Sequence, residues 1–427
     1  MRSAGYVCLV VVVLSACTAG ETSRVDTLIN TAHLEHLYQE IHLGEQINLG
    51  TVWIYSNAPD YDLVDDEDEG FTCIDDVSRA MVFYCRQYGG DPREEYLEKI
   101  ESLTQFIIYM QADNGYFNNF MFPDDGINTL HPNSRPTPNF WSWRAFWSLT
   151  ELNLLESPEL NDLKAQIQPC LEQLLGNILE LFSEENEPVE VAGIMLPAVY
   201  TKFGGDQVGV LMVGLANYYQ ANSTPAVREL MLKLGNYLLA GQHGDEDCPP
   251  YFSFLSWKNI WHAWGNLQAY ALLYSGRILL HEAFIDAGLK EVTHFYPFCI
   301  EQGFLNEFSL AKDGGEWIIR DLKQFPQISY GIRPMVYASL EAYEITGKET
   351  YARLASELVL WYFGKNPAGQ KMYDRLTGRG FDGINSPTKT NFNSGAESTI
   401  EALLSIQAME SNERVRQLVS EQISDKL

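Results

Sequence analysis

An all-α fold of six helical hairpins closed into an (α/α)6 toroid is the architecture this sequence predicts. Three observations point to it: turn signals recur at a near-regular spacing, the segments between them carry helical periodicity, and long connections fall at every second junction. Gly89-Gly90-Asp91-Pro92 combines a glycine C-cap, an Asp N-cap and a proline suited to a first helical position. Ser157-Pro158 and Ser223-Thr224-Pro225 repeat the device. Weaker breaks follow near His281, at Thr346-Gly347 and at Ser411-Asn412. Successive breaks lie roughly 56 to 67 residues apart, a period that fits one helix pair plus its connection.

Between the breaks the apolar positions follow a helix face, as Val336, Leu340 and Tyr343 do, and not the alternation of a strand. The first helix of each hairpin is expected to begin near Cys73, Phe140, Asp206, Lys258, Tyr330 and Ser394, with one extra helix over 25–45. Six hairpins can close into a double ring in which each covers its neighbour's apolar face; an open solenoid is the rival. The long connections span 113–138, 184–205, 242–257, 302–329 and 365–393. Loops of such length in a compact domain are usually functional. In a toroid they gather at the mouth that holds the N-termini of the inner helices.

The N-terminus reads differently. Arg2, the apolar run 6–14 and Leu14-Ser15-Ala16-Cys17 make residues 1–16 a signal peptide, too short to span a bilayer permanently. The segment 14–17 resembles a bacterial lipobox, which implies lipidation of Cys17, a lipid anchor in the membrane, a tether over 17–25 and an extracytoplasmic toroid domain over 26–427. Of seven cysteines, Cys73, Cys85, Cys170, Cys248 and Cys299 then remain. Their odd number and wide spacing make buried free thiols the expectation, and neither a disulfide framework nor a metal pattern. A formal net charge of −28 argues against nucleic acid and anionic surfaces as partners and favours neutral glycans as substrate.

Two segments at the predicted mouth carry acids. Asp75 and Asp76 open the first inner helix, and Glu397 and Glu401 lie at the start of the last. In a closed ring those helices are neighbours, so the acids can face one another across a cleft. Glycoside hydrolysis uses such a pair: one carboxyl protonates the leaving oxygen while the other, ionised, activates water or attacks directly. Glu401, one turn after Glu397, can supply a negative charge that lifts the pKa of an acid. The plainer role for all these acids is helix capping.

Trp361-Tyr362-Phe363-Gly364-Lys365-Asn366-Pro367 resembles the Tyr-x-x-Gly-x-Asn-Pro segment of glycoside hydrolase family 9, and Glu397-Ser398-Thr399 resembles that family's C-terminal acid segment. The resemblance implies Glu397 as general acid. Two departures stand out: Leu403 replaces the family's Asn, and the Asp-Ala-Gly-Asp motif carrying its base is missing, with Asp75-Asp76 the nearest substitute. Segments 73–80 and 393–402 also look like uncharacterised bacterial six-hairpin proteins associated with polysaccharide handling.

Aromatic and polar residues near the inner-helix starts are candidates for sugar binding: Trp141, Trp143 and Arg144 on the second, Asp206 on the third, Trp264 on the fourth and Arg333 on the fifth. Tyr373 and Asp382 lie in the last long loop. Trp at helical spacing is more often core than platform, and each charged candidate can equally be a cap. The acidic run 60–69 lacks EF-hand spacing, His33, His36 and His42 lack the zincin spacing, and no phosphate loop appears, so no metal or cofactor is expected. The expectation is a glycoside hydrolase with Glu397 as acid and Asp76 or Asp75 as base, inverting if the carboxyls stand about 6.5–9.5 Å apart. The alternatives are a toroid lyase or epimerase and a non-catalytic glycan-binding lipoprotein.

Overall fold

A computed structural model describes residues 27–43, 47–124 and 126–424. Its six hairpins pair an inner with an outer helix: α1 (Ile74–Gly90) with α2 (Glu94–Tyr109), α3 (Phe140–Leu154) with α4 (Asn161–Leu181), and α5 (Gly205–Asn222) with α6 (Pro225–Ala240). Then follow α7 (Gln268–Leu279) with α8 (Glu282–Lys290), α9 (Ser329–Thr346) with α10 (Glu349–Val359), and α11 (Ala396–Glu410) with α12 (Glu413–Ser424). Each inner helix packs on the next, and α11 packs back on α1. The ring is closed, so the solenoid is excluded.

The two layers differ because their surroundings differ. Inner helices are covered on all sides, and α5 accordingly buries an unbroken apolar run from Val208 to Ala216, glycines included. Gly214 is required there: a methyl group at its position would sit 2.6 Å from the Phe146 ring of α3. Outer helices bury one stripe only. On α10, Tyr351, Ala352, Ala355 and Leu358 face inward while Arg353 is exposed. The hairpin turns fall where the sequence signals them: Ser223 and Gly347 end α5 and α9 in the left-handed conformation, and Pro225 opens α6. In the first turn, however, Arg93 and not Asp91 occupies the N-cap of α2.

Two expected elements are corrected. The fourth inner helix begins at Gln268 and not near Lys258, because 260–262 is a strand paired with Glu307–Asp313, itself paired with Glu316–Lys323. The N-terminal helix is only Ala32–Leu37; the chain then pairs Tyr38–Leu43 with Ile47–Val52 as an antiparallel ribbon. Ile41 and Leu43, partly covered on either side of exposed His42, suit a half-covered strand better than a helix. The remaining cysteines are all free, and four of the five are buried. Among the described residues no helix is long and apolar enough to cross a membrane. The signal segment and Cys17 lie outside the described residues.

Candidate active site

The inter-hairpin loops build a cleft of about 560 Å³ over the N-terminal ends of α1, α3, α9 and α11. Its floor is an ion network. The Arg79 guanidinium, only 2% exposed, holds Asp76 at 2.7 Å, Glu397 at 2.8 Å and Glu401 at 3.0 Å. Beside it Arg144 holds Asp75 at 2.5 Å and donates to the Tyr330 hydroxyl at 2.7 Å. The Tyr330 ring lies under both guanidiniums, 4.9 Å from that of Arg79 and 5.1 Å from that of Arg144.

The acids are not helix caps. Asn119, from the loop after α2, serves the start of α1: its carbonyl accepts from the Ile74 amide and its side chain from the Asp75 amide. Asp382 does the same for α11, accepting from the Gly395 amide at 3.1 Å and the Ser398 hydroxyl at 2.8 Å. With the backbone donors satisfied from outside, Asp75, Asp76 and Glu397 are free to meet the arginines.

The acids differ in environment. Asp76 is buried, and burial raises its pKa; Arg79 opposes this and Asp75 adds to it. Its second oxygen accepts from the Cys73 thiol at 3.3 Å. Glu397 keeps 43% of its side-chain surface, opening on the cleft, while protein surrounds it elsewhere. That surrounding protein raises its pKa; Arg79 pulls it back, and the charges of Asp76 and Glu401 push it further up. Burial also raises Asp382, against the two donors that it accepts from. Asp75 borders the cleft, with one oxygen on Arg144 and the other only 3.5 Å from the Asn119 amide.

The structure brings Asp75, Asp76, Glu397, Trp141, Arg144, Trp264 and Asp382 to one cleft. Five candidates fall elsewhere. Glu401 is fully buried beneath the floor and salt-bridged to both Arg79 and Arg333, so neither it nor Arg333 reaches a ligand. Trp143, two residues on from Trp141 and so turned to another face of the helix, points into the core and donates to Gln207. Asp206 lies behind the wall against His262. Tyr373 is buried on the far side of its loop, its hydroxyl bonded to the backbone of Leu28 and Asn30. Segment 361–367 is structural as well: Trp361 is in the core, and the Asn366 side chain binds the carbonyls of Trp361 and Gln370.

Sequence reading missed Tyr330, Asn119, and Tyr55 and Asn57 from a short strand paired with Asp62–Val64. Tyr330 was legible only as a helix start. Nothing in the sequence brings residues 55–57 against the start of α11, where the Ser394 amide donates to the Ser56 carbonyl.

Fold and site together define a closed (α/α)6 toroid whose loop-bearing mouth holds three carboxylates pinned by two arginines. No family model and no curated protein matches the sequence, so the family 9 resemblance rests on its two segments alone. Solved structures do share the fold. A sugar epimerase from a ruminal bacterium superposes with a TM-score of 0.61 at 12% identity, over 91% of this chain and 97% of that one. The cellobiose 2-epimerase of Bacillus thermoamylovorans gives 0.59 at 10% identity, over 89% and 95%. A family 76 glycoside hydrolase from a bovine Bacteroides thetaiotaomicron strain gives 0.58 at 10% identity, over 91% and 79%. At such identities the likeness is one of fold.

Proposed function

We propose that this protein is a carbohydrate-acting enzyme, a glycoside hydrolase that works by two carboxyl groups on a neutral oligo- or polysaccharide. The observation that carries the reading is the contrast between Glu397, open to the cleft with a raised pKa, and Asp75, across the same cleft and paired with Arg144. Glu397 is suited to arrive protonated and give its proton to the leaving oxygen. Asp75, as a carboxylate with one oxygen nearly unengaged, is suited to activate a water. Asp76 is the less suitable base, since both its oxygens are occupied inside the floor. Inversion belongs to the proposal and requires the Glu397 and Asp75 carboxyls to stand about 6.5–9.5 Å apart with a water between them.

Both cleft arginines are already engaged by carboxylates, so neither is spare for an anionic uronate. That favours neutral sugars and disfavours a lyase. Epimerase names among the fold's relatives raise a second reading, but it needs a strong base in the cleft. Among the described residues no His or Lys lines it, the Tyr330 oxygen accepts from Arg144, and the Tyr55 hydroxyl donates to Glu69. The half-exposed Trp264 and the edge of Trp141 provide aromatic surface for sugar rings. The lipid on Cys17 and the extracytoplasmic location belong to the same proposal and rest on the sequence of residues 1–17.

The test is a glycan screen with the unlipidated protein, comparing wild type with Glu397→Gln, Asp75→Asn and Asp76→Asn. Sugar release that is lost in Glu397→Gln and Asp75→Asn, with binding retained, supports the hydrolase. Binding without turnover in wild type overturns it and leaves a glycan-capture protein; isomerised sugar without hydrolysis points to an epimerase.

A further inference from the structure

We propose that Asp206 and His262 hold a single proton between them and that this proton fixes Trp264 as the aromatic wall of the cleft. Only the use of that wall for sugar rests on the hydrolase reading; its geometry does not. The Trp264 indole lies flat on the His262 imidazole, with ring centroids 3.7 Å apart and planes 7° from parallel. His262 is itself fixed at both nitrogens. Nδ1 is 2.8 Å from the Trp264 carbonyl oxygen, and Nε2 is 3.2 Å from Asp206 Oδ2.

Counting hydrogens gives the inference. A carbonyl oxygen has none to donate, so Nδ1 must carry a proton. In a neutral ring that leaves Nε2 with a lone pair facing Asp206. If Asp206 were ionised, lone pair and carboxylate would repel at 3.2 Å with both side chains nearly inaccessible to water. The contact closes only if one further proton is present, as imidazolium against carboxylate or as imidazole against carboxylic acid. The other Asp206 oxygen is engaged by the Gln207 amide at 2.7 Å.

The remaining charged and titratable groups around the pair are few. Asp206 is the partner from α5, and the Tyr200 phenol lies on its other side. Glu307 sits opposite His262 in the strand register and is neutralised by Lys323 at 2.8 Å. The sequence is built for this contact. A side chain at Gly204, whose φ is +93°, would stand 2.3 Å from Asp206 Oδ1, so glycine there is what admits the carboxyl.

Trp264 is therefore held by its own backbone carbonyl, through an imidazole, from an inner helix. Removing the proton replaces attraction with repulsion behind the indole and releases the wall. Asp206 and His262 are positioning residues in this scheme, since neither borders the cleft.

The experiment is tryptophan emission followed from about pH 5 to pH 9. Subtracting Trp264→Phe isolates the Trp264 contribution from that of the other tryptophans. In wild type that contribution is expected to be quenched at low pH by the stacked ring and to rise in a one-proton step. Asp206→Asn is the decisive variant, because an amide donates to Nε2 without any extra proton. It is expected to abolish the step while keeping the low-pH emission across the range. His262→Gln is expected to remove the step and leave Trp264 unquenched throughout; far-UV circular dichroism confirms that each variant is folded. A wild type without the step, or a step that survives in Asp206→Asn, overturns the proposal, and neither readout depends on a substrate.

Discussion

Replacing Arg79 with methionine tests whether the floor of the cleft is one electrostatic unit. The guanidinium serves three carboxylates, and of these Asp76 and Glu401 have essentially no access to solvent. Removing one partner of a buried ion pair leaves an uncompensated charge and costs about 3–5 kcal/mol. Glu401 retains Arg333, and Glu397 faces the cleft, so most of the cost falls on Asp76. That places the expected loss at about 3 kcal/mol, the low end of the range. With an unfolding entropy of roughly 2 cal/mol/K per residue over about 400 folded residues, the thermal midpoint falls by about 4 °C. The pH dependence identifies the cause. Asp76 and Glu397 already have folded-state pKa values above their unfolded ones, so their ionised forms cost stability as pH rises through those values. Loss of Arg79 raises both further, so the deficit is largest at neutral pH and shrinks as the carboxyls protonate in acid. Thermal unfolding of wild type and Arg79→Met at pH 7 and pH 4.5 measures both effects. An equal deficit at the two pH values would mean lost packing and would refute the electrostatic account.

Glu397→Gln is expected to abolish turnover, about 10²–10⁴-fold in kcat, without lowering the thermal midpoint at pH 7. The ionised form is disfavoured in the fold, so a neutral amide gains stability above the raised pKa and nothing below the ordinary one; partial exposure keeps that gain under about 1 kcal/mol. Midpoints at pH 4 and pH 7 check the sign. For the same reason the alkaline limb of the wild-type kcat/KM profile is expected above the ordinary glutamate range and tracks deprotonation of Glu397. Trp264→Ala is expected to raise KM, whereas Trp143→Phe leaves KM unchanged and costs about 1 kcal/mol of stability through its lost bond to Gln207, as unfolding and kinetics on one substrate distinguish. Gly378→Ala is expected to loosen the N-terminal segment. Gly378 has φ of +77°, and a methyl there would meet the Asn30 carbonyl at 2.3 Å, so limited proteolysis near residues 27–31 should speed up.

The ring was legible because its determinants are local. Caps, prolines and a single apolar period fix where each helix begins and ends, and closure follows from covering every apolar face. The fourth inner helix was misplaced where that logic stops. Ile260, Trp261 and His262 form a strand only because Glu307–Asp313, nearly fifty residues later, lies beside them. The sequence assigns the long loops to one mouth, but of their cleft residues it singles out only Asp382, and as a sugar contact and not as a cap. Asn119 and Asp382 supply the caps that release the acids, and no local pattern marks either as a cap for a helix so far along the chain.

The errors among the candidate residues share one physical origin, which also explains why the acids separate into distinct roles. Proximity to an inner-helix start puts a residue near the mouth, but successive side chains diverge by about 100° around the axis. Trp141 therefore reaches the cleft while Trp143, two residues on, enters the core. Arg144 and Arg333 are each the fifth residue of their helix, but Arg144 turns to Asp75 at the cleft and Arg333 to the buried Glu401 below the floor. The same divergence acts on Asp75 and Asp76. Adjacent in sequence, they are turned to different arginines: Asp76 inward to Arg79 and Asp75 along the cleft to Arg144. On α11 the spacing of four does the reverse, stacking Glu397 above Glu401 so that one guanidinium binds both. One arginine thus reads the inward acid of α1 and both acids of α11, and the acid left over at the rim is Asp75. Glu397 and Asp75, the pair proposed above to be catalytic, are the acids of this network that keep side-chain surface open to the cleft, whereas Asp76 and Glu401 are buried.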